Sequence, residues 1–298
     1  MNTHSRIADN IVLSALFAVL LTTFSMGCGS GEKGTGDDTD TVDNSPTVDE
    51  DVATLLAAGL AAENGGATDQ LVDIVSLAGS DGLRATHLVA DDGGVVGSPT
   101  YNPLSGTWHW SFVREYSSAN GLYFARVERT YEWRFLKRNG RPQATYIFAN
   151  DTAYTIELTI VSGAGRHFMP LISQTLDSLA GHLVATGTNT DDISVTGTWF
   201  RAALDTVRTR YAVRTIEHAT ELTITDMRCQ RDSTAQPWQS VSGTISGVFS
   251  ADISFASGDA YAEDTVSREF NIILDSGEAA ISAGDTTWVC NLRRAEFQ

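Results

Sequence analysis

Between Leu122 and Leu136 apolar and polar residues alternate with a period of two. Tyr123, Ala125, Val127, Tyr131, Trp133 and Phe135 share one face, with Arg129 the exception. Arg126, Glu128, Thr130, Glu132 and Arg134 share the other. Only a strand buried on one side places such a pattern correctly, because successive side chains of a strand point to opposite faces. Lys137-Arg138-Asn139-Gly140-Arg141 follows, and Asn-Gly is the favoured centre of a two-residue hairpin turn. That turn sets Arg138 opposite Arg141, and therefore Phe135 opposite Ala144, Trp133 opposite Tyr146 and Tyr131 opposite Phe148. The same period returns over residues 241–255, where the odd positions from Val241 to Phe255 are small or apolar and the even ones are mostly Ser, Thr and Asp. At ~3.3 Å per residue that strand would run about 50 Å, so a bend at Gly243 or Gly247 is expected. Further strands are expected near 107–116, 152–162, 182–188, 193–202, 209–225, 265–274 and 286–292, with short, turn-rich connections.

Ahead of the strands the period is helical. Thr47 and Glu50 have the spacing of a capping box, Val52, Leu55, Leu56 and Leu60 recur at helical intervals, and Asn64-Gly65-Gly66 is a stop signal. Residues 69–78 fit a second helix, and strand periodicity fits them nearly as well. The expected fold is therefore mainly β: an antiparallel, curved meander or barrel-like sheet over 84–298, preceded by one or two N-terminal helices over 48–83. The tetrads SGTW, TGTW and SGTI, beginning at residues 105, 196 and 242, echo one another, but their separations are unequal, which excludes a regular propeller or solenoid.

The first 47 residues follow different rules. Residues 1–10 are polar and contain Arg6, and 11–26 form an apolar run too short for a membrane span. Ser25-Met26-Gly27-Cys28 closes that run, with the small Gly27 before the cysteine and Ser25 where leucine is usual. This seam resembles the lipobox of bacterial lipoproteins. The resemblance covers the leader alone, and it implies a signal peptide over 1–27 and a Cys28 that carries diacylglycerol on sulfur and an acyl chain on its amine. It places the mature chain in the bacterial cell envelope, anchored to a membrane by lipid, the outer membrane ahead of the inner. Residues 28–47 hold Gly, Ser, Thr and Asp with almost nothing apolar, and read as a flexible acidic tether. Residues 28–51 carry eight acids against Lys33, out of a net charge of -17 for the chain. Such a charge repels nucleic acid and excludes it as a partner class. With Cys28 lipidated in an oxidising compartment, Cys229 and Cys290 become a disulfide candidate, whose closure would contribute about 4 kcal/mol.

Motifs of chemistry are few. The sequence has no G-x-S-x-G elbow, no phosphate-binding loop and no C-x-x-C, so no cofactor and no metal are expected. The six histidines are scattered. Trp108, Trp110, Phe112 and Tyr116 share a face, and with Tyr123, Tyr131 and Trp133 they would either line a cavity for an apolar ligand or form the core of a sheet packed on the helices. Arg114, Arg126, Arg129, Arg134, Lys137, Arg138 and Arg141 form a cationic island, read either as a surface for anionic partners or as cross-strand ion pairing. The expected function is a membrane-anchored, non-enzymatic binding or scaffolding lipoprotein, whose partners are the membrane through its anchor and an apolar ligand or envelope protein. The alternatives are a hydrolase, which needs a histidine and a carboxylate converging in a cleft, and a surface adhesion or assembly module.

Overall fold

The computed structural model describes residues 45–78, 98–117, 124–168, 172–208, 213–230, 237–258 and 260–293, with Ala295 and Phe297. Cys28, the leader, the segment up to residue 44 and Tyr123 lie outside the described residues.

Two helices come first, α1 (Ser45–Leu60) and α2 (Ala67–Ser76). Helix α1 begins two residues ahead of Thr47, so the Thr47–Glu50 spacing does not mark its N-cap. A 3-10 turn (Ala62–Asn64) follows, and Gly65 closes it in the left-handed region at φ 66°. The strands are β1 (Thr100–Asn102), β2 (Thr107–Ser117), β3 (Phe124–Leu136), β4 (Pro142–Gln143), β5 (Ile147–Phe148), β6 (Asp151–Thr152), β7 (Thr155–Phe168), β8 (Ile172–Thr186), β9 (Asp192–Arg208), β10 (Val213–Gln230), β11 (Val241–Ser257), β12 (Ala260–Asp275), β13 (Glu278–Ala283) and β14 (Thr286–Asn291).

All but β5 and β6 join one 12-stranded antiparallel sheet in the order β1-β2-β3-β7-β8-β9-β10-β11-β12-β13-β14, with β4 attached to β3. The order is a meander, and the sheet is not closed into a barrel. Strand β1 covers only Thr107–His109 of β2, and β13, paired on its other side with β14, covers only Phe270–Asp275 of β12. Trp110–Ser117 and Ala260–Glu269 thus have one strand neighbour among the described residues.

Period two holds along the long strands. In β3 every odd position from Ala125 to Phe135 is buried, Arg129 included. In β11 the inward set is the odd one, and Val248 faces out, 43% exposed. Curvature enters through register shifts at Thr130/Tyr131, Leu176/Ser178 and Thr225/Arg228, because the extra residue of a bulge bends its strand. Of the two expected bend sites, Gly243 is the one opposite the Thr225/Arg228 shift, at φ 140°, whereas Gly247 lies in unbroken register and is a point of close approach. A Cβ there would collide with the carbonyl oxygen of Glu221 on β10 and meet the Phe270 ring at 2.7 Å. Gly247 lies between Leu222 and Phe270 in one inward row that also holds Trp199. Large side chains thus fold over the glycine, and adjacent strands close in.

The hairpin after β3 differs from the two-residue turn. Leu136 pairs with Pro142 and Phe135 with Gln143, so the loop is Arg138–Gly140, three residues long, with Gly140 at φ 77°. A left-handed third residue is the hallmark of the bulged three-residue loop. Pairing ends at Gln143, and the second neighbour of β3 is β7, which places Trp133 opposite Leu158 and Tyr131 opposite Ile160. The expected pairs with Ala144, Tyr146 and Phe148 do not form.

The helices cover the inner face of the sheet. Leu55, Leu56 and Leu60 of α1 and Leu71, Ile74 and Leu77 at α2 share one core with Trp110, Tyr131, Leu158, Leu183, Phe249 and Ile272. A cavity of about 10 Å³ remains between α1 and Trp199, Leu222 and Phe270, the volume of one water centre. Cys229 and Cys290 are separate buried thiols, not a disulfide. Strands β11, β12 and β13 stand between them, four strand spacings or ~19 Å along the sheet, against a Cα limit of about 7 Å for a bridge.

Candidate functional site

The inner face of the sheet is divided. Towards the hairpin joining β12 to β13 its rows are apolar, as in Trp133, Leu158, Leu183, Ile224, Ile245 and Ile272. Towards the opposite hairpins three successive inward rows carry charge. One row holds Arg129 and Arg201, the next Arg114 and His218, and the third His167, Gln174 and Asp205. Each of these side chains occupies a position that the strand period assigns to the core, and each is at most 9% exposed.

Helix α2 lies against this surface, buried on all sides from Ala67 to Ile74. Asp69 and Asp73 are one helical turn apart and therefore share a face. The Arg114 guanidinium bridges them, with Nη1 donating to Asp69 at 3.2 and 3.3 Å and Nη2 to Asp73 at 3.0 and 3.3 Å. Tyr131 Oη donates to Asp73 Oδ2 at 2.9 Å, Trp199 Nε1 donates to Gln70 Oε1 at 2.6 Å, and Arg129 Nη2 donates to the carbonyl of Gly65. Burial pushes the Asp69 carboxyl up from its ordinary value, and the neighbouring Asp73 charge adds to this, while Arg114 and Arg129 oppose it. Burial likewise raises the Tyr131 phenol, so Tyr131 stays a donor.

The second half of the network belongs to the sheet alone. Arg201 Nη2 donates to Gln174 Oε1 at 2.5 Å, Gln174 Nε2 to Asp205 Oδ1 at 2.8 Å, and His218 Nε2 to Asp205 Oδ2 at 2.7 Å. The His218 ring also stacks on Phe249 at 5.2 Å. Burial lowers the His167 imidazole to about 4, against the pull of Asp205 and with the push of Arg201, so it is neutral at pH 7. Burial lowers Arg201 to about 10, partly offset by Asp205, and the guanidinium stays charged. Three guanidinium ions thus face three carboxyl groups inside the sheet.

His218 and Asp205 are the histidine–carboxylate pair a hydrolase would need, but each is 1% exposed and Nδ1 of His218 has no hydrogen-bond partner among the described residues. A second set is on the outer face of β2 and β3. Ser111 Oγ is 3.5 Å from His109 Nε2, and His109 Nδ1 is 3.5 Å from Glu132 Oε1, with His109 and Glu132 about half exposed. Ser111 is bonded more closely to the hydroxyl of Thr130, at 2.9 Å.

The aromatic set falls in the core and along its margin. Trp110, Phe112, Tyr131 and Trp133 are buried. Trp110 lies 4.5 Å from Phe112, and Phe112 meets Tyr131 edge-on at 5.2 Å. Trp108 is partly buried, stacks on Trp133 at 5.8 Å and donates Nε1 to the carbonyl of Ala144 at 2.6 Å. Tyr123 is outside the described residues. The cationic island divides: Arg126 pairs with Glu128 and Glu115, Arg134 with Glu157 and Lys137 with Asp151 on the outside, whereas Arg114 and Arg129 turn inward. Among the described residues no group of three ligating side chains is placed to hold a metal ion, and no helix is long and apolar enough to cross a membrane.

Sequence reasoning reached Arg129 as a charge on an apolar face but missed its partners. Arg201, Asp205 and His218 carried the same signal, each in phase with apolar neighbours two residues away. Comparison with protein-family models, with curated proteins and with solved structures finds no match to this chain.

Proposed function

We propose that the chain is a membrane-anchored lipoprotein of the bacterial cell envelope whose folded part binds or scaffolds and does not catalyse. The observation that carries the non-enzymatic reading is the filling of the sheet interior by helices α1 and α2, which seals the His218–Asp205 pair from solvent. The anchor rests on the seam at Gly27-Cys28 and on the polar, acidic segment between it and Ser45. Two or three acyl chains, at ~0.8 kcal/mol per buried methylene, suffice for stable attachment. The chain then holds its domain at the bilayer surface, where an apolar ligand or an envelope protein is its partner.

The anchor is tested by growing cells with labelled palmitate and weighing the mature N-terminus. The expected species begins at Cys28 with label and acyl mass, and an unmodified cysteine or a retained leader overturns it. The hydrolase alternative is confined to Ser111, His109 and Glu132. It predicts ester hydrolysis that His109→Ala abolishes, and equal rates in both proteins remove it.

A further inference from the structure

Every hydrogen bond described above between the sheet and the α2 region runs in one direction. The sheet supplies only donors there: Arg114, Arg129, Tyr131 and Trp199. The helix and the turn before it supply only acceptors: Asp69, Asp73, Gln70 Oε1 and the Gly65 carbonyl. The charge is divided in the same way. Arg114, Arg129 and Arg201 are sheet residues, and the sheet answers them only with Asp205, while the other two carboxylates arrive on α2. Without α2 the inner surface would carry an excess of two positive charges. The seat is also incompletely filled. Nε and Nη1 of Arg129 and Nε of Arg114 and of Arg201 have no hydrogen-bond partner among the described residues, although these side chains are 2–3% exposed. Unmet guanidinium donors of this kind are costly and mark a place where an acceptor fits. Next to the acids α2 brings Leu71, Ile74 and Leu77 into the apolar part of the lumen, so the helix has the form of an anionic amphiphile: an acidic head beside apolar bulk.

We infer that the arginine-lined inner face of the sheet is a binding seat for the acidic headgroup of an anionic amphiphile, and that α2 occupies it in the unloaded protein as a built-in competitor. Arg114 and Arg129 hold the headgroup as they hold Asp69, Asp73 and Gly65, and the acyl chain takes the space of Leu71, Ile74 and Leu77. The shared chemistry is one or two anionic oxygens on an apolar chain, met by a fatty-acid carboxylate or by a phospholipid phosphate. This deepens the binding reading above. It is independent of acylation at Cys28, which the mass of the mature N-terminus reads separately.

The test uses the full-length chain in phosphatidylcholine nanodiscs, with amide hydrogen exchange followed over residues 67–76. Three arms are compared: added oleate, added oleyl alcohol, and discs containing phosphatidylglycerol. Oleate or phosphatidylglycerol should speed exchange in α2 at least fivefold while the β7–β10 amides stay protected, and oleyl alcohol should not. Oleate alone identifies a fatty acid, phosphatidylglycerol alone a phospholipid, and either supports the seat. Asp73→Asn, which weakens the competitor and leaves the sheet donors in place, should lower the half-effective oleate concentration about tenfold. Unchanged α2 exchange in both acidic arms, or an equal response to the alcohol, overturns the inference. Should Asp73→Asn fail to fold, the wild-type arms alone decide it.

Discussion

Replacing Arg114 by methionine keeps much of the side chain's volume and removes the charge that Asp69 and Asp73 share. The three groups are at most 2% exposed and are joined by four contacts of 3.0–3.3 Å. Breaking a buried ion pair from one side costs about 3–5 kcal/mol, because the stranded charge keeps its desolvation penalty. Here two carboxylates are stranded, with Tyr131 and the more distant Arg129 as remaining support, so a loss of about 4 kcal/mol at pH 7.5 is expected. In urea, with a slope of about 3 kcal/mol/M for a domain of this size, the midpoint should fall by about 1.3 M. The six tryptophans report the transition. The pH dependence gives a second reading. Burial already lifts Asp69, and removing Arg114, which opposes that rise, lifts it further, so the folded variant binds a proton there more tightly than the unfolded chain. A group whose folded pKa is raised contributes stability at low pH and loses it as pH rises, so the deficit of Arg114→Met should shrink between pH 7.5 and pH 5. Adding Asp69→Leu and Asp73→Asn, which removes the stranded charge and keeps an acceptor for Tyr131, should restore all but about 1 kcal/mol. A loss below about 1 kcal/mol, or the same loss at both pH values, would refute the reasoning.

His167, lowered to about 4 by burial, is protonated more readily in the unfolded chain, so it withdraws stability as pH falls from about 6.5 towards 4. That withdrawal reaches about 3 kcal/mol, and His167→Gln should flatten the acid limb of urea midpoints relative to wild type, a comparison in which Asp69 cancels. Gly247→Val places a side chain against the Glu221 carbonyl, and a loss above about 3 kcal/mol, read by circular dichroism and soluble yield, is expected. Burial raises Cys229 to about 12 and Cys290 to about 11. The Asn44–Gln298 fragment, prepared without reductant, should therefore show no thiol to Ellman's reagent when native and two when denatured, whereas a disulfide would show none in either state.

Elements set by local periodicity were legible in the sequence. The alternation in 122–136 and 241–255 yields β3 and β11 with their inward faces correct, and Leu55, Leu56 and Leu60 mark the buried side of α1. What failed was what depends on a single residue's backbone state or on partners far away in sequence. Asn139-Gly140 signals a turn, but the left-handed Gly140 lengthens the loop by one residue and shifts each pair beyond it. The ladder then stops at Gln143, whose side-chain amide donates to the carbonyls of Thr145 and Tyr146 at 2.9 Å, and β7 takes the position beside β3. The ionic network was invisible as a network, because Asp73 and Tyr131 are 58 residues apart and Trp199 and Gln70 are 129 apart. Its sequence mark was the recurrence of Arg, Asp, Gln and His at positions that period two reserves for apolar side chains.

The half-height edges of the sheet govern how copies of this chain meet. Ala260–Glu269 of β12 offers ladder groups on its outer side that a foreign strand could extend. Glu263, Asp264 and Glu269 sit on that stretch and are exposed. Two molecules approaching edge to edge would bring rows of like charge together, and this repulsion should oppose strand addition in dilute neutral solution. Acid or concentrated salt removes it, so molecules should gather through their rims while each interior stays folded.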